Sequence, residues 1–271
     1  MKKLLVAFLI VLALPLNVIA EVNTHSTDLE LSSSQFWSIT DASQTGLDLG
    51  ADASISLWVN MESTPASGDY QALVNKDNGS TQRSYEFLYF NNGGTLQLWW
   101  YVFGAVDASV FSRAYYNVNL GTATWHHIAC TFDGNGANAA AKLDCYLDGS
   151  SVAENSSADV GGGATSVANS SADFLVGKTE DGTRYFDGLV DDVRVWSRTI
   201  SSTDVSNMYT DSCSFSNGAS NQGWWRFDNN GNDSSSNGNN LTNNNSATFS
   251  TTVAYTCASA SSPAQDLIMF E

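Results

Sequence analysis

The run Trp99-Trp100-Tyr101-Val102-Phe103 puts aromatic rings on both faces of one short segment. In an extended chain Leu96, Leu98, Trp100 and Val102 share one face, while Gln97, Trp99, Tyr101 and Phe103 share the other. The first face reads as core. The second begins with a polar residue and suits a flat binding platform, joined by Tyr115 or Tyr116 from the next run. Exposed rings can stack on pyranose faces while Asp, Asn and Arg hold the hydroxyls. The alternative is that a sandwich partner and a loop bury both faces. Trp58 and Trp125 are read as core.

Catalytic chemistry is harder to find. A retaining glycosidase needs two carboxyls roughly 5–5.5 Å apart. Beyond residue 20 the only glutamates are Glu21, Glu30, Glu62, Glu86, Glu154, Glu180 and Glu271, and none form a cluster in sequence. Asp28 and Glu30 share a strand face, but so near the N-terminus they read as solvated. The histidines are His25, in the N-terminal tail, and the neighbours His126 and His127, which point to opposite faces of a strand. His127 reads as structural. No G-x-S-x-G, H-E-x-x-H or Gly-rich phosphate loop occurs, and no base accompanies Ser197.

The elements that would position these groups are short and extended. Alternation and Gly/Asn/Asp turns predict strands over 36–40, 54–60, 70–75, 85–90, 96–103, 109–117, 126–132, 142–147, 173–176 and 189–196. Ile55, Leu57 and Val59 mark one apolar face of the second. The one helix predicted is 202–209, capped by Ser202. The stretch 156–171 reads as a small-residue loop without core content. The pattern is that of an all-β sandwich or barrel.

The chain starts Met1-Lys2-Lys3, turns apolar, and reaches Val18-Ile19-Ala20 before its first acid, which describes a signal peptide over 1–20 cleaved after Ala20. Cleavage removes two of the eleven basic residues and none of the 28 acidic ones, taking the net charge from −17 to −19. So acidic a surface repels nucleic acid and anionic lipid, which excludes nucleic acid as a partner, though it does not repel divalent cations or neutral sugars. No later stretch suits membrane insertion. The oligomeric state is not legible. A secreted protein with Cys130, Cys145, Cys213 and Cys257 is expected to hold disulfides. If the loop 133–141 closes a hairpin, Cys130 falls opposite Cys145, leaving Cys213 for Cys257; free core thiols at 130 and 145 are the alternative.

Three blocks then carry a resemblance. The first is Ile55-Ser56-Leu57-Trp58-Val59, with Leu73-Val74-Asn75-Lys76 downstream. The second is Trp125-His126-His127-Ile128-Ala129, Phe132-Asp133-Gly134 and Cys145-Tyr146-Leu147-Asp148-Gly149. The third is Phe186-Asp187-Gly188-Leu189-Val190-Asp191-Asp192-Val193-Arg194-Val195-Trp196. Together they resemble the LamG-like jelly-roll family of the concanavalin A-like lectin/glucanase superfamily. The resemblance implies a two-sheet antiparallel jelly-roll β-sandwich over 21–211. Residues 212–271 look like the start of a second unit, which either is a truncated repeat or adds a strand to the first sandwich.

The resemblance also implies a rim calcium site, with Asp69 and Asp77, or Asp187 with Asp191, as candidate ligands; Asp191 could instead serve the fold by pairing with Arg194 or a backbone amide. The glucanase Glu-x-Asp-x-(x)-Glu cluster is absent, so the expectation is a non-catalytic module binding a glycan or extracellular surface ligand, with Trp99, Tyr101, Phe103 and Tyr115 as the ligand face. A structural or adhesive protein is the second reading, and a glycoside hydrolase or lyase with an atypical site the third.

Overall fold

A computed structural model describes residues 22–257 except 181 and 183. The expected signal peptide lies outside the described residues. Numbered along the chain, the strands build two antiparallel sheets. The first runs β10 (Ser150–Ser151), β9 (Leu143–Leu147), β8 (Trp125–Asp133), β3 (Asp52–Met61), β13 (Gly188–Trp196), β1 (Ser26–Leu29) and β16 (Thr248–Ser250), and β14 (Asn221–Trp225) also joins β13. The second runs β11 (Ser156–Val160), β7 (Phe111–Asn117), β6 (Thr95–Phe103), β5 (Arg83–Asn92), β4 (Tyr70–Asp77), β12 (Phe174–Val176), β2 (Phe36–Ile39) and β15 (Thr242–Asn244). The helices α1 (Ala139–Lys142) and α2 (Ser202–Thr210) are both short. None of the described helices is long and apolar enough to cross a membrane. The two-sheet jelly-roll sandwich is thus the fold.

The two-residue period accounts for the core. Ile55, Leu57 and Val59 project from one sheet, Leu98, Trp100 and Val102 from the other, and all six are fully buried. Each such side chain contributes about 1.5–3 kcal/mol through burial. The opposite face of β3, with Ser54, Ser56 and Trp58, is not solvated either. The helix α2 lies across it, and Trp196, Ile200, Val205 and Met208 form a second apolar cluster there. Ser201, one residue earlier than expected, caps α2: its side chain accepts from Asp204 N–H, and the Asp204 carboxylate accepts from Ser201 N–H. Trp58 packs under the helix against His127 and Tyr209, at centroid distances of 5.2 and 5.6 Å. Trp125, expected in the core, is half-exposed at the strand end.

Two segments depart from the sequence expectation. The stretch 156–171 is not a bare loop: Ser156–Val160 pairs with β7, and Ala164 and Val167 enter the core. Small residues suit an edge strand, which needs backbone more than side chains. The segment beyond 211 threads back through both sheets, with β14 on β13, β15 on β2 and β16 on β1. Cys130 stands opposite Cys145 in the β8–β9 register, and their disulfide has a Cα–Cα distance of 4.2 Å. The Cys213–Cys257 disulfide spans 5.6 Å between Cα atoms.

One side of β13 is shared end to end by two strands. Val190 pairs with β1, Val193 pairs with β14, and Asp191 and Asp192 fall in the gap. Asp192 adopts a φ of 50° and meets the wholly buried Arg194 guanidinium in two bonds of 2.9 and 2.8 Å. Asp191 Oδ2 accepts from Asn23 Nδ2 at 2.9 Å and from Ala254 N–H at 3.1 Å, while its buried Oδ1 has no partner. Burial, and then the Asp192 charge, push the Asp191 carboxyl up to about 8.

Two outcomes are expected. Arg194→Met strands the Asp192 charge and should cost about 3–5 kcal/mol in urea unfolding at neutral pH, most of it recovered by adding Asp192→Asn. Asp191 keeps its proton in the native state to about pH 8, whereas an unfolded Asp releases it near pH 3.9. Native stability therefore falls as pH rises through that window, by about 2 kcal/mol between roughly pH 6.5 and pH 8. Asp191→Asn should remove this decline, read as a urea midpoint independent of pH across that interval. His127, pulled down to about 4 by burial and by Arg194, acts with the opposite sign. Its contribution is complete above about pH 6.5 and is lost as pH falls toward 4, so it leaves the upper interval unaffected.

Candidate functional site

The outer face of the second sheet carries the aromatic run. The strands β5, β6 and β7 form a meander whose register aligns Leu88, Trp99 and Tyr115 in one row and Glu86, Tyr101 and Arg113 in the next. Directly opposed side chains on one face touch, so each row is continuous. The Trp99 ring lies 4.0 Å from Phe90 and 4.5 Å from Tyr115, centroid to centroid. Its indole N–H donates to Gln97 Oε1 at 3.0 Å, and Gln97 donates in turn to Asn117 Oδ1 at 2.8 Å. The Tyr101 and Tyr115 hydroxyls are 2.7 Å apart. Burial raises the Tyr101 pKa well above the usual phenol range, so it remains a neutral donor and acceptor.

Arginines complete the face. Arg113 lies 5.5–5.9 Å from the rings of Tyr101, Phe111 and Tyr115, and its buried Nε has no partner. Arg83 sits 4.2 Å above Phe103 and Arg184 sits 4.1 Å above Tyr70. Between them runs a groove of about 300 Å³, lined by Trp99, Tyr101, Phe111, Arg113 and Glu86 among others. The four residues read as a ligand face are divided by the structure. Trp99 and Tyr101 are partly exposed on the groove and Tyr115 is partly exposed beside it, whereas Phe103, though it lines the groove, is 1% exposed beneath Arg83. Tyr116 points into the core.

The four aspartates proposed as metal ligands do not meet in pairs. Asp69 and Asp77 lie at opposite ends of β4, about 27 Å apart at 3.3–3.4 Å per residue. Each positions an arginine of the groove instead: Asp69 accepts from Arg184 Nε at 3.0 Å, and Asp77 accepts from Arg83 Nε at 2.7 Å. Asp191 is occupied in the gap beside β13. Asp187 belongs to a cluster of other carboxylates at the start of that strand.

That cluster unites Asp28, Glu30 and Glu62, whose ligand oxygens lie within 4.8 Å of one another. The reading of Asp28 and Glu30 as a solvated tail pair is corrected here. Asp28 belongs to a strand hydrogen-bonded on both sides, to β13 and to β16. Gly188 brings the remaining acids in: with a φ of 136° it lies so close to β3 that a Cβ would stand 2.3 Å from the Asn60 carbonyl oxygen. Glu62 N–H then donates to the Asp187 carbonyl at 3.0 Å. Asp187 itself accepts from Leu31 N–H at 3.2 Å and from the Ser63 hydroxyl. Burial and the Asp187 charge raise the Asp28 pKa, and burial with the charges of Asp28, Glu30 and Asp187 raises that of Glu62. Asp28 Oδ1 is buried without a donor. Crowded carboxylate oxygens, one of them buried without a donor, fit a hard cation, so this acidic cluster could hold a metal. The i, i+2 pair was visible in the sequence; its partner Glu62 could have been found only by pairing 188–190 with both 27–29 and 59–61.

Comparison with known proteins follows this geometry. No curated protein sequence matches the chain. Among solved structures, a native heptameric SAP-like pentraxin from Limulus polyphemus aligns over 84% of this chain and 94% of its own, with 12% identity and a TM-score of 0.57. A protein of Bacteroides ovatus described as carbohydrate binding aligns over 85% of this chain, at 16% identity and a TM-score of 0.56. The alignment spans 60% of that protein. At such identities the likeness is one of fold. The Laminin_G_3 family profile matches residues 32–206, well over half of the sequence. The chain is therefore a member of the Laminin_G_3 family, within the concanavalin A-like lectin/glucanases superfamily.

Proposed function

We propose that this protein is a secreted, non-catalytic module that binds carbohydrate on the outer face of its second sheet, with a calcium ion at the acidic cluster of the first. The observation that carries the reading is the half-exposed Trp99–Tyr115 pair beside Arg113, whose buried Nε lacks a partner. Rings offer the apolar face a sugar needs, and the guanidinium offers directed donors for hydroxyls. The likeness in fold to a protein described as carbohydrate binding agrees with it. Glu86 is the one carboxylate among the residues lining the groove, and it pairs with Arg83 at 3.3 Å. Two-carboxylate glycoside hydrolysis has no second group there. Two disulfides support an extracytoplasmic setting.

In the calcium site, Asp28, Glu30 and Glu62 supply carboxylate oxygens, and Asp187, held by Leu31 and Ser63, adds its charge. The ion would neutralise a repulsion that otherwise strains the pairing of β1. It sits on the first sheet, so its role is to fix the N-terminal strand rather than to touch the sugar.

Two experiments test these assignments. On immobilised polysaccharides, wild type should be retained by at least one neutral glycan, and Trp99→Ala or Tyr115→Ala should weaken binding at least about tenfold with the melting temperature nearly unchanged. Retention unaffected by either substitution would remove the groove from the reading. For calcium, addition after EDTA treatment should raise the melting temperature, by an amount corresponding to about 2.7 kcal/mol at a concentration on the order of 100 Kd. Asp28→Asn should abolish that response and, in EDTA, should melt no lower than wild type because it relieves the like-charge crowding. A melting temperature indifferent to calcium sinks the metal assignment.

A further inference from the structure

The second sheet has another concavity on the same outer face, with a volume of about 690 Å³, at the end opposite to the aromatic meander. Three adjacent strands, β12, β2 and β15, build it. Phe36 and Ser38 of β2 face outward while Trp37 and Ile39 between and beyond them enter the core. The register places Leu175, Ser38 and Thr242 in one row, with Phe36 opposite Asn244 in the next. Asn240 follows the same two-residue alternation on the approach to β15. The groove thus has an apolar floor of Phe36 and Leu175 and a rim of small amides and hydroxyls.

The polar rim is already ordered. Asn244 Nδ2 donates to Ser38 Oγ at 2.9 Å and to the Thr242 carbonyl at 3.0 Å, so its Oδ1 is the atom left to accept. Asn240 Oδ1 accepts from Asp233 N–H at 2.9 Å, leaving its amide hydrogens to donate. Lys178 Nζ stands 4.6 Å over the Phe36 ring, and Glu180 accepts from Asp173 N–H at 3.3 Å. The Asp173 and Glu180 carboxylates against the one Lys178 ammonium make the groove unfavourable for a phosphate, sulfate or uronate. An apolar floor under fixed neutral donors and acceptors is the chemistry of a neutral polyhydroxylated ring.

The segment after β12 separates this groove from the first. Lys178 and Glu180 line the one, while Arg184 caps Tyr70 at the edge of the other. The centres of the two sites, on β6 and β2, are four strand spacings apart, or about 19 Å. The geometry points to a second, independent site for a neutral saccharide unit at β12, β2 and β15, so that one molecule engages two saccharide units. This inference rests on the carbohydrate reading above, and the two can fail separately.

The test uses the full secreted chain, isotopically labelled, titrated with cellotetraose, xylotetraose, mannotetraose and arabinotetraose. Nuclear magnetic resonance then reads each site by its own reporter: the Trp99 indole N–H for the aromatic groove, and the Asn240 and Asn244 side-chain amides for the second. The expected result is saturable shifts of both reporters with at least one probe. Trp99→Ala should leave the Kd read at Asn240 and Asn244 unchanged. Phe36→Ala should weaken that Kd at least about fivefold, the effect of losing one stacking face. Thr242→Val, which removes a hydroxyl on an exposed edge strand, is the second variant should Phe36→Ala unfold; it should weaken the same Kd and spare the Trp99 shift. Movement of the Trp99 reporter alone overturns the second site and leaves the first. Movement of the asparagine amides alone upholds the second site and removes the first. Silence of both reporters with all four probes overturns both.

Discussion

Burying an arginine costs several kcal/mol in lost hydration, and it is tolerated only where every donor finds an acceptor. Arg194 meets that condition through two bonds to Asp192, one to Asn217 Oδ1 at 3.1 Å, one to the Ser212 carbonyl at 3.2 Å and one to the Tyr255 side chain, with Trp224 and Phe215 against the guanidinium plane. These partners come from β13, from the segment after α2, from β14 and from the chain beyond β16. One charged group therefore ties β13 to the two segments that follow it and, through Tyr255, to the C-terminal end of the described residues. The helix α2 is thereby held against the outer face of the first sheet, where Ser54 and Ser56 become buried anchors for Ile200 and Met208. That part of the face is covered. The outer face of the second sheet is left as the broad surface on which grooves can form.

On that open face charge and aromaticity are arranged together. The two aspartates that bracket β4 each fix an arginine over an aromatic ring, Asp69 through Arg184 on Tyr70 and Asp77 through Arg83 on Phe103. The Asp69–Arg184 pair is exposed and contributes little to stability, whereas Asp77 is buried beneath Arg83. The value of both pairs lies in orientation, since a guanidinium held flat on a ring forms a wall rather than a mobile tether. The rows of side chains across β5, β6 and β7 then form a floor whose polar atoms, the Tyr101 and Tyr115 hydroxyls and Gln97 among them, are already hydrogen-bonded. Such a surface binds without first paying the entropy of ordering long side chains.

The acidic cluster works on a different principle. Its members come from β1, the end of β3 and the start of β13, so like charges converge where three strands must lie side by side. Gly188 permits the close approach, and the burial of Asp28 makes the repulsion felt. The proposed cation would couple directly to the seating of the N-terminal strand, and through β16 to the seating of the C-terminal segment.

The two-residue alternation of Ile55, Leu57 and Val59 and of Leu98, Trp100 and Val102 determined by itself that the chain is all-β, a sandwich or a barrel, because an extended strand admits only one way to sort apolar from polar side chains; the choice of sandwich came from the family resemblance. The same alternation placed Trp99 and Tyr101 on the face away from the core, and the β8–β9 hairpin set Cys130 against Cys145. What lay outside that face could not be read from period two. Whether Phe103 is bare or covered depends on Arg83, twenty residues away, and whether Asp28 is solvated depends on strands 160 and 220 residues further along. The aspartates illustrate the limit most clearly. Sequence identified Asp69, Asp77, Asp187 and Asp191 as acids on turns and strand ends, but a carboxylate's role is set by what meets it. Only the tertiary structure decided that two orient arginines, one is buried beside an asparagine and one joins a cluster, because those partners are assembled by strand pairing between distant segments.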